Sequence, residues 1–337
     1  MEKNTSGKIR IGVLYGGISN EKEVSLRSGK NVMKNLSSEK YDVSGLFIEK
    51  ETLWRAEGFD GETRILDTTT EEAKEFLRGF DILFNALHGA FGEDGRLQGF
   101  LDTLGVPYTG SGERASFVAM DKALAMESVR KNGIVVPDFF LVTKKDSLSI
   151  VKEKITEYFG YPVIVKPNGS GSTLGLSLVR EEGEVATALE KSFAETKEVL
   201  VQKYIAGREF TCGVLGNHQA EKIMVLPPVE IIVPPRHIFG YEEKYLSQET
   251  LEICPAEIDQ GLLEKIQSAA LEAHRILGCD GLSRSDFRLD EAGQIFYLET
   301  NTSPGMTEAS LCPKEALAFG MTMPQFLDTL VQLSFEK

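Results

Sequence analysis

Strand-like and helix-like segments alternate through the first third of the chain, and this alternation limits the fold more than any other feature. Residues 9–14 (Ile-Arg-Ile-Gly-Val-Leu) are a short strand and residues 23–36 a polar–apolar stretch of helical length. Residues 41–48 return to strand, Glu71–Leu77 is a short helix, and residues 81–87 form a buried-looking apolar run. Strands separated by helices pack as a parallel sheet with the helices on its faces. A turn-rich stretch, residues 106–112, closes this unit near Gly110, and residues 121–131 then read as a helix opened by an Asp121 cap.

The rest reads as α+β. Strands are expected at residues 135–142, 161–166, 176–179 and 198–204, with helices at 147–158 and 182–193. The last part starts with Arg208–Leu215, crosses a proline-interrupted apolar stretch at 225–235, and holds one long helix, Gln260–Leu277, with an apolar stripe. The expected division is 1–110, 111–206 and 207–337.

Composition excludes several classes of function. Lys plus Arg number 37 against 51 Asp plus Glu, a net charge of −14, so most of the surface repels a phosphate backbone and nucleic acid is not an expected partner. The four cysteines form no C-x-x-C pair and the four histidines no H-E-x-x-H, which disfavours a disulfide scaffold and a structural zinc site. The polar residues 1–8 run directly into the first strand, leaving no room for a signal peptide's apolar segment, and no apolar stretch approaches the ~20 residues of a membrane span. A cytoplasmic location and no membrane partner are expected.

Four motifs carry chemistry. Gly16-Gly17 follows the first strand and precedes Glu21 and Glu23, so backbone N–H groups and a helix start meet at a strand end. Plain turn chemistry and solvated helix-start acids account for the same residues. Leu87-His88-Gly89 ends the strongly apolar run, and Gly92-Glu93-Asp94-Gly95 reads as the cap of a helix over Arg96–Leu104; His88 is either a structural histidine or a substrate contact. Lys166 ends a buried strand and hands over to Asn-Gly-Ser-Gly-Ser-Thr-Leu-Gly (168–175), residue types whose N–H groups fold over phosphate oxygens. It matches neither Walker A nor the dinucleotide fingerprint, and the Gly16-Gly17 turn, which suggests an NAD-dependent oxidoreductase as a remote rival, lacks the full fingerprint as well. Finally, residues 283–289 and 295–301 form two strands joined by a turn. Alternation places Phe287, Leu289, Phe296 and Leu298 on one face and Arg284, Asp286, Glu299 and Asn301 on the other. Two carboxylates and an amide oxygen on adjacent strands form a hard oxygen site suited to Mg²⁺.

Taken in order along essentially the whole chain, these motifs, with Lys244-Tyr245-Leu246 and Pro304-Gly305-Met306-Thr307, resemble the ATP-grasp superfamily and specifically the D-alanine:D-alanine ligase family. The resemblance implies a three-domain ATP-grasp architecture with an N-terminal parallel α/β domain. It implies ATP as co-substrate, two Mg²⁺ ions (or Mn²⁺) on Asp286, Glu299 and Asn301, and D-alanine as the other substrate, in a homodimer. Lys122, Lys166, Ser172 and Lys244 would hold ATP phosphates, and Gln202, Lys203, Ile205 and Glu209 the adenine and ribose. Glu21 would hold the first D-alanine's ammonium with His88 near its carboxyl group, Ser310 and Leu311 would bind the carboxylate of the second, and Val24 and Lys244 would also be substrate-binding. Arg284 and the Gly305 N–H would stabilise the oxyanion, while Glu21, Ser172 and Tyr245 would form a hydrogen-bonded network near the attacking amine. Gln202 stands where many relatives carry Glu, and Phe239 where some carry Tyr. The D-alanine:D-lactate and D-alanine:D-serine ligases share the phosphate and metal residues and stay open as alternatives. A nucleotide-binding regulator without turnover is a rival of another class.

Overall fold

The structure, a computed structural model, describes residues 7–59, 61–171, 174–233 and 250–337. The expectations for Ser172, Phe239, Lys244 and Tyr245 lie outside the described residues.

The first sheet contains β1 (Ile9–Gly16), β2 (Tyr41–Lys50), β3 (Leu53–Glu57), β4 (Thr63–Asp67) and β5 (Ile82–Asn85) in the order β4-β3-β2-β1-β5. Its centre, β2-β1-β5, is parallel as the alternation predicts. The β3–β4 pair, to which the sequence reading assigns no strands, extends it antiparallel. Only residues 51 and 52 separate β2 from β3, too few for the crossover a parallel neighbour needs.

Parallel strands bury both faces. On one face Leu14, Leu46, Trp54 and Leu83 meet Leu97 and Leu101 of the helix Arg96–Leu104. On the other, Ile11, Val13, Ile82 and Phe84 meet Val32 of the helix Lys22–Asn35 and Phe326, Leu327, Leu330 and Val331 of the helix Met323–Ser334. The chain's last helix therefore completes the core of its first sheet.

The second sheet, antiparallel, runs β6 (Phe139–Thr143), β9 (Glu198–Lys203), β7 (Val163–Pro167), β8 (Ser177–Val179). Helices Leu148–Tyr158 and Val185–Glu195 cover the face that carries Val163, Val165, Val199 and Val201. Alternation sends Lys166, Leu200 and Gln202 to the opposite face. There Leu200 joins the core of the third sheet.

That third sheet is antiparallel too, in the order β13 (Leu251–Ile253), β12 (Val229–Ile232), β10 (Arg208–Leu215), β14 (Leu282–Leu289), β15 (Ile295–Asn301), with β11 (Met224–Val225) beside β10. Ile266, Ala270, Ala273 and Leu277 form the stripe of the helix Gln260–Leu277 that packs on it. Ala125, Met126 and Val129 of the helix Lys122–Lys131 enter the same core. Lys122 is thereby fixed between the second and third sheets.

Candidate active site

The strands β14 and β15 supply the polar floor. Arg284 faces Asn301 and Asp286 faces Glu299 across the ladder. A bulge at Asp286/Phe287 then shifts the register, so Phe287 pairs with Tyr297 and Leu289 with Ile295. Tyr297 and Ile295 therefore join Phe287 in the core, which corrects the strict alternation that puts Phe296 and Leu298 there. One extra residue on the bulged strand reverses the facing of everything beyond it.

Asp286 accepts two hydrogen bonds from Arg284, Nε at 3.0 Å and Nη2 at 3.1 Å, and one from Thr211 Oγ1 at 2.5 Å. Burial works against the Arg284 charge, but the Asp286 carboxylate outweighs it and holds the guanidinium above its ordinary pKa. Glu299 Oε2 lies 3.4 Å from Lys122 Nζ and 3.7 Å from Lys166 Nζ. Burial, aided by the Lys122 charge and opposed by Glu299, pushes Lys166 down to about 8.

Two carboxylates against three cations leave a net positive cradle for a polyanion. No group of three His, Cys, Asp or Glu side chains is gathered for a metal among the described residues, so a metal here depends on the Asn301 amide. Its oxygen is the atom that could ligate a cation, and among the described residues no partner holds its buried Nδ2, so no hydrogen bond from that N–H group fixes which way the amide faces. Asp286, Glu299 and Asn301 would offer oxygen ligands, a donor set that suits a hard divalent cation.

Lys122 owes its place to the loop after β7. Asn168 accepts from the N–H groups of Lys122 (3.1 Å, backbone oxygen) and Ala123 (2.9 Å, Oδ1), and its Nδ2 donates to the capping Asp121 at 3.0 Å. Lys122 Nζ in turn donates to the Ser170 carbonyl at 2.6 Å. Lys122 and the described start of the glycine-rich loop, Asn168 and Ser170, are thus one hydrogen-bonded unit. On the cleft side of β9, Gln202 is buried with its Nε2 3.2 Å from Met126 Sδ. Ile205 is buried, Lys203 is exposed, and Glu209 lies 3.5 Å from Arg288 Nε.

Beside this floor opens a cavity of about 230 Å³. It gathers Glu21, Val24, His88, Arg284, Asn301, Gly305, Ser310 and Leu311, residues named from the sequence, from all along the chain. Gly171 lets Glu21 and Glu93 approach, since a Cβ there would sit 3.0 Å from Glu93 Oε2 and 3.1 Å from Glu21 Oε2. Burial first, and the charge of Glu21 second, raise the Glu93 carboxyl well above the usual range.

Glu93 departs from its expected role in a helix cap. Gly95 is the N-cap, Asp94 Oδ1 takes the Arg96 N–H at 3.1 Å, and Glu93 turns into the cavity. Its sequence signal was present but assigned to the wrong neighbour. Arg27 and Glu252 also line the cavity without having been read from the sequence. Arg27 continues the Glu21, Val24 spacing by one more step of three, whereas Glu252 is brought in by sheet register and has no local signal.

His88 is a fastener. Its Nδ1 faces the Ser303 carbonyl at 2.8 Å and must donate, so Nε2 accepts from Ser28 Oγ at 2.8 Å. Ser28 Oγ accepts in turn from Met306 N at 3.1 Å. Burial pushes the imidazole down to about 4, so it stays neutral while stitching the Ser303–Met306 turn to the helix Lys22–Asn35. In that turn Gly305 admits Ser310, whose Oγ would lie 2.7 Å from a Cβ. Ser310 is the N-cap residue of the helix Leu311–Ala318 but makes no side-chain cap, so the first N–H groups there can meet an anion.

Two family models match, described as the D-ala D-ala ligase N-terminus over residues 10–111 and the D-ala D-ala ligase C-terminus over residues 129–332. The chain belongs to the D-ala D-ala ligase family. It is 39% identical over 339 residues to the D-alanine--D-alanine ligase of Desulfotalea psychrophila, covering 100% of this chain and 98% of that one. It is 38% identical over 332 residues to that of Pelotomaculum thermopropionicum, covering 97% of each. Among solved structures, the VanG D-Ala:D-Ser ligase from Enterococcus faecalis matches with a TM-score of 0.81 and 31% identity over 97% of this chain and 99% of that one. The D-alanine--D-alanine ligase from Bacillus anthracis complexed with ATP matches at 0.79 and 31% over 97% and 98%. The three sheets are those of the family's ATP-grasp fold. Among the described residues no helix is long and apolar enough to cross a membrane.

Proposed function

We propose that the chain joins two D-alanine molecules into D-alanyl-D-alanine at the expense of ATP, through an acyl phosphate, for peptidoglycan precursor synthesis in the cytoplasm. The observation that carries this reading is the junction of two sites. The Lys122–Lys166–Glu299 cluster, suited to a polyphosphate, adjoins a small cavity with a carboxylate pair at one end and a helix N-terminus at the other.

In this reading Glu21 holds the ammonium of the first D-alanine, with Val24 against its methyl group and His88 fixing the turn beside its carboxylate. That carboxylate attacks the γ-phosphorus of ATP, ADP leaves, and the acyl phosphate forms. Lys122 and Lys166 neutralise the phosphates, while Gln202, Lys203, Ile205 and Glu209 receive adenine and ribose. Asp286, Glu299 and Asn301 would hold two Mg²⁺, or Mn²⁺, which supply charge neutralisation at the transferring phosphoryl group.

Ser310 and the Leu311 N–H take the carboxylate of the second D-alanine. Its amine, once deprotonated, attacks the acyl carbon, and Arg284 with the Gly305 N–H stabilises the oxyanion until phosphate leaves. The family resemblance assigns Ser172 and Tyr245 to the network that handles the amine proton and Lys244 to phosphate and acceptor. Division at residues 110 and 206 and assembly as a homodimer belong to the same proposal.

The likeness to a D-Ala:D-Ser ligase structure favours one alternative, D-serine as acceptor. Phosphate release from Mg·ATP, measured with D-Ala, D-Ser, D-lactate and the L forms, separates the two. D-Ala alone should support turnover and yield the dipeptide. Release that requires D-Ser beside D-Ala would replace the acceptor, and no release with any of them would sink the ligase reading.

A further inference from the structure

We propose that Arg27 sets acceptor specificity by binding the carboxylate of the second amino acid, an assignment that rests on the ligase reading above. Arg27 is exposed yet lines the cavity. With Glu21 and Val24 it makes a stripe at i, i+3 and i+6 along one side of the helix start.

The direction of that helix decides which end of the cavity Arg27 serves. Its start lies against Gly89 and Gly171, where a Cβ would crowd Glu21 Oε2 at 2.7 and 3.1 Å. Further along, Ser28 Oγ accepts from Met306 N at 3.1 Å, Asn31 Nδ2 donates to Met306 O at 2.8 Å, and Lys34 lies 3.8 Å from Glu308. Arg27, next to Ser28, therefore sits at the end that also holds Thr307 and Ser310.

Six residues of helix separate Glu21 from Arg27 by about 9 Å along the axis. Two extended residues span about 7 Å. A dipeptide with its ammonium at Glu21 thus carries its carboxylate toward Arg27. The other cavity guanidinium, Arg284, already gives Nε and Nη2 to Asp286. Arg27 has no carboxylate paired with it among the described residues, and a forked guanidinium matches a free carboxylate.

The test is steady-state kinetics of the wild type, Arg27→Gln and Arg27→Lys. D-Ala and D-alaninamide are compared as acceptors, and the two D-Ala binding steps are fitted separately. Arg27→Gln should raise the acceptor KM about tenfold, the scale of one partly exposed charge-assisted contact. The first-site and ATP KM values should stay within about twofold, and Arg27→Lys should recover part of the loss. The variant should also lose about a tenfold share of the preference for D-Ala over the uncharged amide, which a merely structural role would not move. Ordinary wild-type dipeptide synthesis with an unmoved acceptor KM and preference in Arg27→Gln would overturn the assignment alone. A rise confined to the first-site KM would also overturn it, by placing Arg27 at the wrong end. Failure of the wild type to form dipeptide from D-Ala and Mg·ATP would overturn both this assignment and the reading beneath it.

Discussion

Glu299 lies between the ammonium groups of Lys122 and Lys166, at 3.4 and 3.7 Å, while its backbone belongs to the well-packed β14–β15 ladder. Removing its charge should therefore damage chemistry far more than folding. Glu299→Gln is expected to lose turnover by about 100-fold or more, because in the proposed reaction several kcal/mol of charge stabilisation at the transferring phosphoryl group would depend on it. Its circular dichroism and Tm should stay near those of the wild type, and a folded variant with normal phosphate release would remove Glu299 from the phosphate site. Glu315 presents the opposite case, a buried acid outside the proposed reaction. Its Oε1 accepts from Gly213 N at 3.0 Å, and Cys312 lies against the same buried carboxyl. Burial pushes its carboxyl from 4.5 up to about 7, against the pull of Arg284, the Gly213 N–H and Cys312, with Asp286 adding to the rise. The native state thus keeps a proton that the unfolded chain gives up. The resulting stability is fully present below about 4.5 and is lost as pH rises through about 7, a change of roughly 3 kcal/mol. Urea unfolding of Glu315→Gln between pH 4.5 and 8 should lack this component. Parallel pH profiles for variant and wild type would show that Glu315 ionises alike in both states.

At the level of elements, the start of the helix Lys122–Lys131 links local sequence to the site. Asp121 Oδ1 accepts from Leu124 N at 2.9 Å and from Asn168 Nδ2 at 3.0 Å, so one carboxylate both caps the helix and ties it to the loop after β7. Asp121→Ala is expected to cost about 1–2 kcal/mol of stability and to raise the KM for ATP, because Lys122 follows directly on the cap. A loss of stability with an unchanged KM would mean that the loop holds Lys122 without the cap. This cap was legible because capping is local chemistry. The β3–β4 hairpin was not, since Leu53–Glu57 and Thr63–Asp67 are short strands rich in charge at one end of the sheet, with Thr63–Asp67 at its edge. The bulge at Asp286/Phe287 was also hidden. Nothing in the residue types marks which member of an alternating pair will be passed over, and the choice follows from how Tyr297 and Phe287 pack, their ring centroids 6.0 Å apart.

Over the whole molecule, the two ends of the chain share one core, in which Phe326 and Leu327 pack with Ile11, Val13 and Phe84. The first sheet should therefore not open alone. Trp54, the sole tryptophan and fully buried in that sheet, reports it selectively. Urea transitions followed by Trp54 fluorescence and by far-UV circular dichroism should coincide. Leu327→Ala should move both together by about 2–5 kcal/mol, the cost of an apolar cavity. A fluorescence transition at lower urea than the dichroism transition would show the first sheet opening independently.

What the sequence determined by itself is what local patterns encode. These are the parallel centre of the first sheet, the helix Gln260–Leu277 with its stripe, the Asp121 cap, and the set Arg284, Asp286, Glu299 and Asn301 whose two-residue spacing puts them on one strand face. Only the tertiary structure decided the rest. It turned Glu93 into the cavity beside Glu21, used both His88 nitrogens to hold a turn more than 200 positions away, Ser303, and brought Glu252 to the cavity wall. The reason is physical. Helix and strand periods follow from backbone geometry within a few residues, whereas contacts between distant segments depend on which faces must be buried against one another, and no residue carries that information alone.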